Sequence, residues 1–290
     1  MQVIPITPRG YCPGVVKAIH IVNEAIANPL LPRPIYILGM IVHNRFVVDH
    51  FTQKGVITLN DPHKSRLELL EDITQGSVII TAHGTLPEVF NKIRAKGLHL
   101  IDATCKDVAK THDLIKDYLN KGYHVLFVGK QGHPESEGAL GIGENIHLIE
   151  TIADIDQLPR IDANIFVTNQ TTLSIRDLEK IFHHITLVYP QAIINDEICN
   201  STRIRQEAVL KSNHDVDLCI VVGDPHSNNT TNLAKLSLNH TSTPTYMIES
   251  VLDIQTAWLK GVQKVSVTSG ASTPTEITAA VIQFLQNYQE

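Results

Sequence analysis

The chain has 290 residues, of which 43% are hydrophobic and 19% are charged, values typical of a folded globular protein. A formal net charge of −6 gives no reason to expect a nucleic acid or an anionic membrane as a partner. The N-terminal segment MQVIPITPRGYC lacks the basic and apolar regions of a secretory signal, and no stretch of about 18 apolar residues occurs. We therefore expect a cytoplasmic protein.

Three of the four cysteines are almost evenly spaced along the chain. Cys12, Cys105 and Cys199 are separated by 93 and 94 residues. In a chain without a secretory signal, widely spaced cysteines are more often metal ligands or catalytic groups than disulfide partners. The spacing predicts three repeats of nearly equal length, at residues 13–104, 105–198 and 199–290.

Each cysteine follows a short apolar run and precedes a helical pattern. After each one, apolar residues recur every three or four positions, as in an amphipathic helix. The backbone N–H groups and the dipole at a helix start favour a thiolate. We therefore expect the three cysteines at strand-to-helix junctions.

Each repeat also contains two continuous apolar runs that end in polar loops. In chain order these segments are IYILGMIVHN, VIITAHGTLPE, HVLFVGKQGHPE, IFVTNQTTLS, LCIVVGDPHSNN and VSVTSGASTPTE. Continuous apolar runs separated by helices are typical of buried parallel strands. The pattern predicts an α/β fold of three pseudo-three-fold-related βα domains with mostly parallel sheets around a central cavity. Ligands bind beyond the carboxyl ends of such strands, so we expect all six loops to line that cavity.

The third repeat ends in the helical pattern TAAVIQFLQNY, with no strand after it. The N-terminal run QVIPI belongs to no repeat, so residues 1–12 are expected to complete the third domain. Pro5 favours an edge position or a strand start, because proline cannot donate to a central ladder.

The three cysteines predict a metal centre with one open coordination position. With zinc they would form a Lewis-acid site that binds a water. With iron and sulfide they would form a cubane cluster with one iron open to substrate. Spacing leaves both possible, although zinc thiolate sites usually take two ligands from one short loop, which favours the cluster. Cys219, within the run LCIVV, is expected to be a buried side chain.

The polar loops carry mostly neutral hydrogen-bond donors that suit phosphate oxygens. The candidate residues are His43, His83, His133, Glu135, Thr171, Ser227, Asn229 and Ser272. Glu135 is the carboxylate of HPE that can face the cavity as a proton source, and Glu137 is the weaker candidate. Thr171 and Ser272 also fit the role of helix N-caps. The segment GIGEN lacks the third glycine of a dinucleotide fingerprint.

Nine motifs between Arg9 and Pro274 resemble those of the 4-hydroxy-3-methylbut-2-enyl diphosphate reductases. They are RGYCPGV, VHNRFVVD, TAHG, DATCKDVAKTHD, GHPESEG, TNQTTLS, CNSTRIRQEAV, DPHSNNT and SGASTP. The resemblance implies a trefoil α/β fold around a 4Fe-4S cluster, and the last step of the methylerythritol phosphate route to isoprenoids. That step is a two-electron, two-proton reductive dehydroxylation of an allylic diphosphate to isopentenyl diphosphate and dimethylallyl diphosphate. Ferredoxin or flavodoxin would supply the electrons.

The resemblance also implies roles for individual residues. As cluster ligands, with the fourth iron open to substrate, it implies Cys12, Cys105 and Cys199. As groups that hold the diphosphate, it implies His43, His83, His133, Ser227, Asn229 and Ser272. Glu135 would deliver the proton, His133 would belong to the proton relay, and Thr171 would lie beside the substrate hydroxyl. Lys106 departs from the family pattern, in which a proline usually follows the second cysteine.

Two other functions remain open on sequence grounds. One is an iron–sulfur lyase or synthase with a similar three-cysteine plan, such as quinolinate synthase. The other is a non-catalytic cluster protein that senses redox state or carries electrons. The HPE and SNN loops favour the diphosphate enzyme over the first, and the second leaves Glu135 and Thr171 without a role.

Overall fold

The computed structural model describes residues 1–288, and within them it contains three four-stranded sheets whose strand pairs are all parallel. Helices connect the strands in each sheet, as parallel pairing requires. The predicted α/β class with three parallel sheets connected by helices is therefore confirmed. No helix within this part of the chain is long and apolar enough to cross a bilayer.

The chain begins with strand β1 (Gln2–Pro5) and helix α1 (Pro13–Ala27), which starts directly after Cys12. The first sheet follows, with strand order β3-β2-β4-β5. Its elements are β2 (Ile35–Leu38), α2 (Arg45–Gln53), β3 (Ile57–Leu59), α3 (Arg66–Leu69), β4 (Ser77–Ile80), α4 (Pro87–Ala95) and β5 (His99–Asp102).

The second sheet has the corresponding strand order, β7-β6-β8-β9. Its elements are α5 (Lys106–Asn120), β6 (His124–Val128), α6 (Pro134–Leu140), β7 (Ile146–Ile149), α7 (Ile152–Asp156), β8 (Ile165–Asn169), α8 (Ile175–Val188) and β9 (Ile193–Ile194). Every residue of β8 is buried, as expected for a strand covered on both faces.

The third sheet repeats this order, but its fourth strand comes from the other end of the chain. Its later elements are α9 (Asn200–Ser212), β10 (Leu218–Val222), α10 (Asn228–His240), β11 (Thr245–Ile248), β12 (Lys264–Ser269) and α11 (Thr275–Asn287). The strand order is β11-β10-β12-β1, and Gln2 to Pro5 pair in parallel with Lys264 to Val267. Pro5 thus lies on an edge strand, where its missing N–H is tolerated.

The chain forms two compact units. Unit 1 comprises Met1–Val15, His43–Val47 and Cys199–Glu290, and it contains the third sheet. Unit 2 comprises Val16–Val42 and Val48–Ile198, and it contains the first and second sheets. The three domain boundaries inferred from the cysteine spacing stay a prediction.

The hydrophobic core of unit 1 includes a residue of the N-terminal segment. Ile6, which follows β1, is only 3% exposed and packs with Val209, Val221 and Leu233. Cys219 belongs to the same buried cluster, and burial raises the pKa of its thiol. The expectation that Cys219 is a buried side chain is confirmed.

Candidate active site

The candidate residues lie after strands, in loops or in the first turn of the next helix, and they divide between the two units. Unit 2 contains His83, Cys105, His133, Glu135 and Thr171. Unit 1 contains Cys12, His43, Cys199, Ser227, Asn229 and Ser272.

Glu135 is a buried carboxyl group in the first turn of α6, and only 2% of the residue is exposed. The Thr171 N–H donates to Glu135 Oε1 at 2.7 Å, and Thr171 Oγ1 donates to Glu135 Oε2 at 3.2 Å. Burial raises the pKa of Glu135 to about 7, with a contribution from Asp107, while the two bonds from Thr171 oppose the shift. Near neutral pH this carboxyl is therefore present in both protonation states, which suits a proton donor.

His133 connects the same helix start to His83. It is the N-cap of α6, and its Nδ1 accepts a hydrogen bond from the Glu135 N–H at 3.2 Å. Because Nδ1 accepts, a neutral His133 ring carries its proton on Nε2. The His83 and His133 rings meet edge to face, with centroids 5.7 Å apart. The structure thus brings His83, His133, Glu135 and Thr171 together.

Cys105 is held beside this group through the first sheet. It is half-buried at the N-cap of α5, and its N–H donates to the carbonyl of Ala82, the residue before His83. Its Sγ lies 3.9 Å from a carboxylate oxygen of Asp107. Lys106, the departure from the family pattern, is the exposed first residue of α5.

In unit 1, Cys12 is half-buried immediately before α1. The Cys12 N–H donates to the Ala271 carbonyl at 3.0 Å, which places Cys12 next to the Ser272 loop. Its Sγ lies 3.4 Å from the Val15 N–H, which donates to it. A helix-start N–H aimed at sulfur stabilises the thiolate form that metal ligation requires.

Cys199 is the N-cap of α9 and belongs to a short polar chain in unit 1. Asn229 Nδ2 donates to Thr202 Oγ1 at 3.2 Å, and Thr202 Oγ1 lies 3.2 Å from Cys199 Sγ. Because the Thr202 oxygen accepts from Asn229, its hydroxyl proton is available to donate to the sulfur. The candidate ligand Cys199 and the candidate phosphate group Asn229 are therefore joined through Thr202.

Ser227, Ser272 and His43 form a second group in unit 1. Ser272 Oγ donates to the His43 carbonyl at 2.9 Å and lies 3.4 Å from Ser227 Oγ. Ser227 is the N-cap of α10, where its side chain accepts from the Thr230 N–H. Three polar loops therefore meet at this helix start, a position that favours anions.

The interpretation of Thr171 and Ser272 as helix N-caps is wrong. Ser174 caps α8, and Pro274 occupies the N-cap position of α11. Helix α8 starts three residues later and α11 two residues later than the loop pattern indicated. The Thr171 and Ser272 side chains contact Glu135 and His43 instead.

Each of the three spaced cysteines is placed, within its own unit, where a thiolate ligand of an iron–sulfur cluster could lie. All three are half-buried at helix starts, and N–H and O–H donors lie at the sulfurs of Cys12 and Cys199. Donors of this kind compensate the negative charge of thiolate ligands and tune cluster potentials. Within residues 1–288, no group of three His, Cys, Asp or Glu side chains is arranged to hold a single metal ion. The donor chemistry suits thiolates bound to iron.

Three residues that support these loops were missed by the sequence analysis. Gln170 is buried and accepts from the Lys130 N–H at 3.0 Å, which ties the HPE loop to the Thr171 loop. Arg66 donates to the Gly84 carbonyl and to Thr81 Oγ1. Arg205 is buried in α9. The buried residues of α9 are Thr202, Arg205, Gln206 and Val209, so its inward face is mostly polar and apolar periodicity gave no signal for Arg205.

Comparison with known proteins gives a consistent result along nearly the whole chain. Residues 3–286 match the family model described as LytB protein. The chain is 52% identical over 289 residues to the 4-hydroxy-3-methylbut-2-enyl diphosphate reductase of Anoxybacillus flavithermus, covering 99% of this chain and 91% of that protein. The enzyme of the same name from Shouchella clausii is 49% identical, with the same coverage.

Two solved structures are also similar to the chain. The E-1-hydroxy-2-methyl-but-2-enyl-4-diphosphate reductase from Plasmodium falciparum has a TM-score of 0.92 at 32% identity, covering 99% of this chain and 88% of that one. An (E)-4-hydroxy-3-methyl-but-2-enyl diphosphate reductase, described as the terminal enzyme of the non-mevalonate pathway, has a TM-score of 0.69 at 32% identity, covering 99% and 100%. The curated proteins that are about 50% identical to this chain are 4-hydroxy-3-methylbut-2-enyl diphosphate reductases. The chain therefore belongs to the LytB family.

Proposed function

We propose that the chain reduces 4-hydroxy-3-methylbut-2-enyl diphosphate to isopentenyl diphosphate and dimethylallyl diphosphate. Two electrons and two protons enter, the allylic carbon–oxygen bond breaks, and water leaves. The observation that carries this proposal is the buried Glu135 carboxyl, which Thr171 orients through two hydrogen bonds and whose pKa lies near 7. A non-catalytic electron carrier has no need of such a group.

The family uses an iron–sulfur cluster. We infer that in this chain it is a 4Fe-4S cluster with Cys12, Cys105 and Cys199 as its ligands and one iron open to substrate. When bound, the cluster supplies electrons and a Lewis-acidic iron for the substrate hydroxymethyl group. A one-electron carrier such as ferredoxin or flavodoxin would reduce the cluster. The reaction would take place in the cytoplasm.

The side chains of unit 2 would handle the proton. The Thr171 N–H occupies Glu135 Oε1, so the proton of the neutral carboxyl would lie on Oε2, 3.2 Å from Thr171 Oγ1. Oε2 would then donate to Thr171 Oγ1, the reverse of the bond that the ionised carboxylate accepts. A proton can pass from Oε2 through the Thr171 hydroxyl to the departing substrate oxygen, which then leaves as water. His133, whose Nδ1 already accepts from the Glu135 N–H, would direct its protonated Nε2 toward the diphosphate.

The remaining candidate residues would bind the diphosphate. They are His43, His83, Ser227, Asn229 and Ser272. Serine hydroxyls, an amide and imidazoles donate to phosphate oxygens without adding a full positive charge at neutral pH. The N–H groups at the start of α10 add the partial positive charge of a helix terminus.

Anaerobic reconstitution followed by turnover with a chemical reductant tests this proposal. The reconstituted chain should convert the allylic diphosphate, and its cluster absorbance should change when the substrate is added. Glu135→Gln should keep iron content and the absorbance change but lose about 10²- to 10⁴-fold in turnover, because Gln cannot deliver the proton. The matched control is Glu137→Gln, which removes an exposed carboxylate from the same helix and should leave turnover near wild type.

Two results would contradict the proposal. Wild-type turnover in Glu135→Gln would refute the role of Glu135 as proton donor. A reconstituted chain whose cluster absorbance does not respond to the substrate would support a carrier or sensor instead of an enzyme.

A further inference from the structure

Arg205 is a buried cation that joins the segments around two of the spaced cysteines. It lies on α9, six residues after Cys199, and is only 2% exposed. Its Nη2 donates to the Gly10 carbonyl at 2.8 Å, and its Nη1 lies 3.3 Å from the Pro8 carbonyl and 3.5 Å from the Ser269 carbonyl. One guanidinium therefore ties the segment before Cys12 and the end of β12 to the helix that Cys199 caps.

The same guanidinium lies within the electrostatic reach of the cysteines themselves. Burial lowers the pKa of Arg205, and the charges of Cys12 and Cys199 oppose that shift. Its Nε is buried and has no hydrogen-bond partner within residues 1–288. A buried cation is costly unless nearby negative charge compensates it, and Cys12 and Cys199 would supply that charge as thiolate ligands of a cluster.

We propose that Arg205 is a positioning residue of the cluster site, which holds the Cys12 segment in place and sets a fixed positive charge beside Cys12 and Cys199. This inference rests on the proposed function, because it takes both cysteines to be cluster ligands. A guanidinium stays protonated at neutral pH and presents its donors in a rigid fork, so one residue can perform both tasks. A fixed positive charge near a cluster favours its reduced form, which carries one more negative charge.

Three variants separate the charge from the hydrogen bonds. Arg205→Gln removes both the charge and the fork. Arg205→Lys keeps the charge but cannot reach three carbonyls at once. Lys211→Gln is the matched control, since it removes an exposed positive charge from the last turn of the same helix.

The first measurement is an EPR-monitored redox titration of the reconstituted cluster. In Arg205→Gln we expect the ratio of reduced to oxidised cluster at a fixed applied potential to fall about tenfold, a shift of about 59 mV for one electron. Arg205→Lys and Lys211→Gln should stay close to wild type. A wild-type midpoint potential in Arg205→Gln would overturn the charge role.

The second measurement is hydrogen exchange in the cluster-free chain. The Gly10 and Cys12 N–H groups donate to Ser269 Oγ and the Ala271 carbonyl, so loss of the fork should speed exchange at residues 9–12 by at least about tenfold. This should occur in both Arg205 variants and not in Lys211→Gln. Wild-type exchange in Arg205→Lys would overturn the positioning role, even if Arg205→Gln fails to fold. Hydrogen exchange is measured without the cluster, so it tests the positioning role of Arg205 alone. If the wild-type chain failed to bind iron, that result would refute the proposed function and leave the exchange result unaffected.

Discussion

At the scale of single residues, burial separates side chains that the sequence presents as equals. Glu135 and Glu137 lie two positions apart in HPESEG, yet α6 turns the first inward and the second into solvent. The sequence favoured Glu135 through the HPE motif and the family resemblance. The raised pKa could not be predicted, because it depends on enclosure by chain segments that are remote in sequence, such as the one bearing Thr171.

The buried Glu135 carboxyl predicts a specific dependence of stability on pH. Its pKa rises from 4.5 to about 7 on folding, so between these pH values the folded chain binds a proton that the unfolded chain has released. The free energy of unfolding should therefore fall as pH rises through this window and level off above about pH 7. The contribution is about 3 kcal/mol. Urea denaturation at pH 5 and pH 8 measures it.

The Glu135→Gln variant isolates this contribution from those of all other titrating groups. It should lose about 2–3 kcal/mol less than wild type between the two pH values. Glu137→Gln, in which the exposed carboxylate is removed, should keep the wild-type dependence. The same pH dependence in wild type and Glu135→Gln would show that the carboxyl titrates normally.

At the scale of elements, the positions of the central strands and of most long helices follow from apolar runs and periodicity. The positions of the short helices do not follow from these patterns, because a short helix can depend on a single side-chain contact. Helix α3 has four residues and is closed by a capping box between Ser65 and Glu68. Its first residue, Arg66, is buried against the loop after β4 and donates to the Gly84 carbonyl and Thr81 Oγ1. Such a contact leaves no periodic signal in the sequence.

We expect Arg66→Met to destabilise the chain by about 2–3 kcal/mol. The substitution leaves the Gly84 carbonyl and the Thr81 hydroxyl without their donor, and buried polar groups that lose a partner are costly. Burial lowers the pKa of Arg66 to about 10, so the wild-type guanidinium remains charged at neutral pH and its bonds are charge-assisted. Equilibrium unfolding in urea gives the difference.

The matched control for Arg66 is Arg94→Met, which removes an exposed guanidinium from α4. Its unfolding free energy should stay within about 0.5 kcal/mol of wild type. Equal stability of the two variants would mean that Arg66 does not hold the loop that carries His83.

At the scale of the whole molecule, the sequence predicted three parallel sheets because each depends on short-range patterns of apolar runs and turns. Those patterns also placed the candidate residues after strands, and the structure has them there, in loops or in the first turn of the next helix. The contacts that hold these loops together could not be predicted from the sequence. Arg205 binds Gly10 and Ser269, which are separated from it by 195 and 64 positions, and a single sequence does not reveal such pairings.

The third sheet is the clearest long-range feature of the molecule, since its edge strand β1 precedes the rest of the sheet by about 200 residues. Helix α11 packs against both β1 and β12. If β1 were joined behind α11, the helix would become the crossover of an ordinary βαβ unit, the usual connection between parallel strands. We therefore expect the stability of the third sheet to depend on the pairing of β1 with β12, and not on whether β1 stands at the N-terminal or the C-terminal end of the sequence.

Moving the strand tests this directly. Deleting residues 1–6 removes the β1 ladder and the buried Ile6 side chain, and should lower the unfolding free energy by more than about 3 kcal/mol. A permuted chain that starts at Thr7 and carries residues 1–6 after a flexible glycine-serine linker behind residue 290 should recover most of this loss. The matched control carries the same tail with Val3 and Ile6 changed to Asp, and it should remain as unstable as the deletion. Recovery by both tails would mean that added length, not strand pairing, stabilises the sheet.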